Sequence, residues 1–139
     1  MVVYFSRGGK TRKMAEAISQ RALCRAVDIE KERPDTSGVD LLLVGSGNYG
    51  GNTDDRLLRF LNDLQPSNGC TAAVFATAGG HDPKCIHVIQ EVLETKGYQV
   101  ISSFNCLGQF FFANRGHPTE DDLKDAKAFA SDIKKRIGD

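Results

Sequence analysis

Apolar runs and helical stripes alternate along the whole chain. Residues 1–6 form an apolar run of β-favouring residues, and residues 10–22 then place Met14, Ala15, Ile18 and Ala22 on one helical face. A short strand fits Ala26–Glu30, after which Pro34, Ser37 and Gly38 mark a connection. Val39–Gly45 is a continuous apolar run of strand length, the pattern of a strand buried on both faces. Leu57, Leu58, Leu61 and Leu64 stripe a helix over Asp54–Leu64, and Cys70–Thr77 is the next strand. A helix from about Pro83 to Lys96 takes proline at its first position, buries Ile86, Ile89 and Leu93, and stops at Gly97. Tyr98–Asn105 is a fifth strand. The last helix starts near Thr119, whose spacing to Asp122 resembles a capping box, and carries a stripe of Leu123, Ala126, Ala130, Ile133 and Ile137.

Five strands alternating with helices predict an α/β domain over residues 1–139, a parallel sheet with helices on both faces joined by right-handed crossovers. Such sheets bind ligands outside the carboxyl ends of their strands, where the strand order switches. The loops after strands one, three and four therefore matter most. They hold Ser6-Arg7-Gly8-Gly9-Lys10-Thr11, Ser46-Gly47-Asn48-Tyr49-Gly50-Gly51 and Ala78-Gly79-Gly80-His81-Asp82. Glycines there let backbone N–H groups approach a ligand.

Composition narrows the function. The 139 residues carry 18 basic and 18 acidic side chains, so no broad field draws nucleic acid or an anionic membrane. No apolar run approaches the length of a spanning helix. The start, Met1-Val2-Val3-Tyr4, lacks the basic region and cleavage site of a secretion signal, and a cytoplasmic location is expected. Cys24, Cys70, Cys85 and Cys106 are widely spaced and read as packed or incidental thiols. Neither His87 nor His117 has a second ligand at metal spacing, so no metal is assigned. Cys85 sits in a helical first turn, where a dipole lowers a thiol pKa, but no His or Asp arrangement supports a cysteine hydrolase, and inert packing is expected.

The first loop ends like a P-loop, at Gly9-Lys10-Thr11. A P-loop also needs a glycine five positions before that group, where this chain has Tyr4. The loop instead joins a strand to a helix so that its amides and the helix N-terminus converge, which makes an anion site suited to a terminal phosphate. Ser6 and Thr11 supply hydroxyls; Arg7 and Lys10 add charge if they turn inward.

These residues resemble the flavodoxin family, in its short-chain form, over residues 1–137. The family's phosphate loop commonly reads Ser/Thr-x-Thr-Gly-x-Thr; here Ser6, Gly9 and Thr11 match, while Gly8 replaces a hydroxyl residue. Gly47-Asn48-Tyr49-Gly50-Gly51 is similar to the family's third-strand loop, a small-residue segment ending in an aromatic or Met and then glycine. Gly79-Gly80-His81-Asp82 keeps the glycine and acid of the fourth-strand loop but not its aromatic. The ending RGHPTEDDLKDAKAFA resembles the last helix of small flavodoxin-like proteins.

The resemblance implies a doubly wound, five-stranded parallel sheet of order 2-1-3-4-5, bound FMN, and electron exchange with transient redox partner proteins, a reductase and an acceptor. FMN would be held by Ser6, Arg7, Gly8, Gly9, Lys10, Thr11, Ser46, Gly47, Asn48, Tyr49, Gly50, Gly51, Thr77, Ala78, Gly79, Gly80, His81 and Asp82. Tyr49 offers a stacking face, and Gly50-Gly51 lets a peptide rotate towards flavin N5. His81, if protonated near the pyrimidine edge, would favour negative charge on a reduced flavin; the alternative is an imidazole facing solvent. Asp82 reads as a helix N-cap. Phe110-Phe111-Phe112 packs under the last helix or forms a partner surface. A monomeric electron carrier with no catalytic residue of its own is the favoured reading. The alternatives are an FMN-dependent NAD(P)H quinone or flavin reductase and a flavin-free interaction module. A receiver domain is disfavoured because strand three runs into Gly45-Ser46 rather than an aspartate.

Overall fold

The computed structural model describes residues 1–47, 53–66, 68–78, 83–107 and 120–137. The elements in chain order are β1 (Val2–Tyr4), α1 (Lys10–Ala22), β2 (Ala26–Asp28), β3 (Leu41–Gly47), α2 (Asp55–Asn62), β4 (Thr71–Ala78), α3 (Lys84–Thr95), β5 (Gln99–Leu107) and α4 (Glu120–Arg136). The strands form one parallel sheet in the order β2-β1-β3-β4-β5, as the alternation of elements and the resemblance implied. The order switches between β1 and β3, and at such a switch point parallel sheets bind ligands beyond the carboxyl ends of the strands.

Strand alternation divides the core in two. Val3, Phe5, Leu42, Val44, Ala72 and Val74 face α2 and α3, meeting Leu57, Phe60, Leu61, Ile89 and Leu93. Val2, Tyr4, Leu43, Ala73 and Phe75 face α1 and α4, meeting Met14, Ala15, Ile18, Phe129, Ala130 and Ile133. This double burial is why β3 reads as an uninterrupted apolar run. The second layer is closed at its edge by Phe104 stacked on Phe129, with ring centroids 5.4 Å apart.

Several boundaries differ from expectation. β3 begins two residues late, because Val39 is tied into a turn by its N–H to Thr36 O at 3.1 Å. It then runs on through Ser46 and Gly47, which pair with Ala76 and Thr77 of β4. Ser46, Gly47 and Ala78 are therefore strand ends rather than loop, and Thr77 lies in β4 as expected. Pro83, expected as the first residue of α3, occupies its cap position with extended backbone, since a proline costs nothing where no N–H is required. Gly97 ends that helix at a φ of 94°, as expected. In α4, Phe129 is buried and Ile137 is 42% exposed, so the apolar stripe ends a turn early. Phe60, not Leu58, completes the buried face of α2.

Gly45 has a packing role. It pairs with Phe75 across the sheet, and a Cβ on it would lie 2.1 Å from the Phe75 ring. Only a glycine lets that ring lie over β3.

Candidate functional site

The first loop is built by one left-handed glycine. Gly9, at a φ of 87°, caps α1, and its N–H donates to Ser6 Oγ at 3.0 Å. Its carbonyl accepts the first helical bond, from Lys13 N–H at 3.1 Å. Glycine has no side chain to cap the amides of the first turn, and no acid stands in that turn. A helix N-terminus left in this form carries positive partial charge and presents amides to an anion. A Cβ on Gly8 would meet nothing within 4 Å, so the approach there is open.

Thr11 looks inward from that first turn. Its Oγ1 lies 2.9 Å from Thr77 Oγ1 at the end of β4. Thr11 is 2% exposed and Thr77 8%. Two hydroxyls carry two hydrogens, and a bond between them uses one. Among the described residues the pair therefore keeps one O–H for an outside acceptor.

A second hydroxyl pair spans the other loop. Ser46, fully buried, donates to Gly47 O at 2.6 Å and lies 2.5 Å from Thr53 Oγ1. Both ends of segment 48–52 are thus joined.

Asp54 follows Thr53 and caps α2. Its Oδ1 accepts from Arg56 N–H at 2.8 Å and Arg56 Nε at 3.1 Å, and its Oδ2 accepts from Arg7 Nη2 at 2.9 Å. Burial alone would raise its pKa; the hydrogen bonds from Arg56 and Arg7, the Arg56 amide and the charge of Arg56 outweigh that and hold it at about 2. Arg7 is thereby engaged by a carboxylate, with its side chain half in solvent. Lys10 is half-buried.

The structure brings Ser6, Gly8, Gly9 and Thr11 of the first loop to the end of β4, through Thr77, and sets Ser46 and Gly47 between β1 and β4, on β3, along the same edge. Asn48, Tyr49, Gly50, Gly51, Gly79, Gly80, His81, Asp82, Phe110, Phe111, Phe112, His117 and Thr119 lie outside the described residues. Thr53 and Asp54 were not singled out as site residues. The one signal for them is a Thr-Asp pair just before a helical stripe, which reads as capping and nothing more. Cys85 is fully buried, and burial pushes its thiol up to about 11 against the opposing amides of Ile86 and Cys85, so it packs as an inert side chain. Cys24 and Cys70 are half-buried free thiols. Among the described residues no cluster of His, Cys, Asp and Glu suits a metal, and no helix is long and apolar enough to cross a membrane. An open cleft of about 500 Å³ between residues 33–40 and the end of α2 shares no residue with these loops.

Residues 1–97 match the flavodoxin domain family. The chain belongs to that family. An uncharacterized protein of Methanocaldococcus jannaschii is 32% identical to this flavodoxin-domain protein over 136 residues, 90% of each chain. Among solved structures, a flavodoxin from the domain Archaea superposes with a TM-score of 0.79 at 20% identity, covering 99% of this chain and 97% of the other. Oxidised flavodoxin 1 of Bacillus cereus gives 0.78 at 21% identity, over 96% and 95%. At those identities the likeness is one of fold.

FMN, the group flavodoxins typically bind, ends in a phosphate. The O–H left over from Thr11 and Thr77, the Ser6 hydroxyl and the glycine-capped start of α1 form, among the described residues, a donor set with no carboxylate, which fits a phosphate dianion.

Proposed function

We propose that this flavodoxin-domain protein binds FMN at the carboxyl edge of its sheet and carries electrons between redox partner proteins. The observation that carries the reading is the Thr11–Thr77 hydroxyl pair, nine-tenths buried, with one hydrogen to spare among the described residues beside a helix N-terminus capped by glycine. A buried donor without an acceptor is costly, and an anion removes that cost.

FMN supplies the redox chemistry when bound, exchanging electrons one or two at a time. The protein binds and orients it. Ser6, Gly8, Gly9 and Thr11 would take the phosphate with neutral donors and amides. Thr77 would hold Thr11 in place from the next loop but one. Ser46, by fixing the Gly47 carbonyl, would set the direction in which the chain leaves β3 towards Tyr49, the expected stacking residue. The chain has no acidic excess overall, so it opposes added negative charge on a reduced flavin less than a strongly acidic protein does.

Purification with cofactor analysis, followed by reduction through a flavodoxin reductase and reoxidation by an electron acceptor protein, tests this. A yellow protein containing FMN that passes electrons between the two supports it. A colourless protein that binds no flavin contradicts it. Oxidation of NAD(P)H with no partner present supports a reductase instead.

A further inference from the structure

Asp54 is the one carboxylate buried among the described residues, at 6% exposure. Capping α2 does not explain its charge. A cap needs only an oxygen for the Arg56 amide, and asparagine or serine serves as well without desolvating a charge. The charge is explained by the two guanidinium groups that converge on it, Arg7 Nη2 at 2.9 Å and Arg56, through Nε at 3.1 Å and Nη2 at 3.4 Å. Arg56 also donates to Glu30 at 3.0 Å, and its guanidinium carbon lies 4.4 Å from the centre of the Phe5 ring. Phe5 and Arg7 are the residues on either side of Ser6. Both neighbours of the first phosphate hydroxyl are thus held by the first turn of α2. Thr53, which shares a hydrogen bond with Ser46, stands immediately before Asp54.

We propose that Asp54 and Arg56 are positioning residues, a clamp that holds the phosphate loop, through Phe5 and Arg7, against the start of α2 so that the loop is ordered before ligand arrives. The proposal rests on the FMN reading. A loop already held in place loses less freedom on binding. A simple charge effect predicts the opposite sign, because a carboxylate near an anion site repels the anion. The two accounts therefore separate in one experiment.

Apo-protein is titrated with FMN and with riboflavin in the parent, Asp54→Asn, Arg7→Gln and the double variant. Asparagine retains the cap. Each single variant is expected to lose about 5–20-fold in FMN affinity, with a smaller loss for riboflavin, and the double variant is expected to lose no more than either single one. Tighter FMN binding by Asp54→Asn, equal losses for both flavins, or fully multiplicative losses in the double variant overturn the clamp. Hydrogen exchange of apo-protein gives a readout without flavin. Amides of residues 7–12 are expected to exchange faster in Asp54→Asn while those of α4 stay unchanged; unchanged exchange in the loop overturns the proposal. If the parent binds neither flavin, the FMN reading fails, and the exchange measurement still decides whether the clamp exists.

Discussion

Thr11 Oγ1 and Thr77 Oγ1 lie 2.9 Å apart although 66 positions separate them in the chain. One stands in the first turn of α1 and the other at the end of β4, so a single O–H···O bond joins the helix start to that strand end. Neither hydroxyl is needed for packing, since valine has the same shape. A buried hydroxyl costs free energy unless it is hydrogen-bonded, and the proposed anion would take the hydrogen that this pair does not use between its own members.

Thr11→Val is therefore expected to weaken FMN binding by about 1–3 kcal/mol through loss of a hydrogen bond to a charged group. Riboflavin, which lacks the phosphate, is expected to bind as before. Flavin fluorescence titration measures both; an equal loss for riboflavin would place Thr11 in general packing instead.

Gly45 makes a prediction about stability alone. With its Cβ position 2.1 Å from the Phe75 ring, Gly45→Ala is expected to destabilise the fold by about 1–3 kcal/mol from overpacking. In a Phe75→Leu background the same alanine is expected to cost less, because the obstructing ring is gone. Urea unfolding of the four proteins reports the coupling, and an additive result removes the steric explanation.

Leu23 ends α1 at a φ of 55° with 84% of its surface exposed. Left-handed backbone costs a residue with a Cβ about 1–2 kcal/mol, and little burial offsets it here. Leu23→Gly is expected to stabilise the protein by about 1 kcal/mol and to raise its Tm. A fall in Tm would mean that the leucine side chain is held by something beyond its own turn.

Asp54 sets the response to acid. Its pKa is held at about 2 in the fold, below the ordinary carboxylate value of 3.8. A depressed pKa means that the folded state favours the charged form, so the stabilisation is complete above the unfolded value. It is lost as pH falls from about 4 to about 2. Asp54→Asn is expected to be less stable than the parent at pH 7 and to converge with it near pH 2. A constant difference between the two across that range would show that the charge of Asp54 contributes nothing.

Much of this fold was legible because its elements announce themselves locally. The β3 run and the α1 stripe follow directly from burial on two faces and on one. The Lys10–Ala22 helix coincides with its expected span, and the glycine needed at its start is the left-handed Gly9. What escaped was set by partners distant in sequence. Phe129 is buried because Phe104 stacks on it, and nothing within α4 distinguishes it from the exposed Ile137. Ser46 and Thr77 were marked only by their loops; that Ser46 pairs with Thr53, and Thr77 with Thr11, depends on strand register. Asp54 reads as an ordinary cap until Arg7 arrives from 47 residues away.

The most direct test of the account is a paired titration of apo-protein with FMN and riboflavin. The two ligands share the ring and differ in the phosphate. At about 1.5–3 kcal/mol for each hydrogen bond to a charged group, two such bonds give FMN an advantage of about 100-fold or more. The account predicts FMN binding tighter by at least that factor. Equal dissociation constants for the two flavins would contradict it, because the loop from Ser6 to Thr11 would then not be a phosphate site.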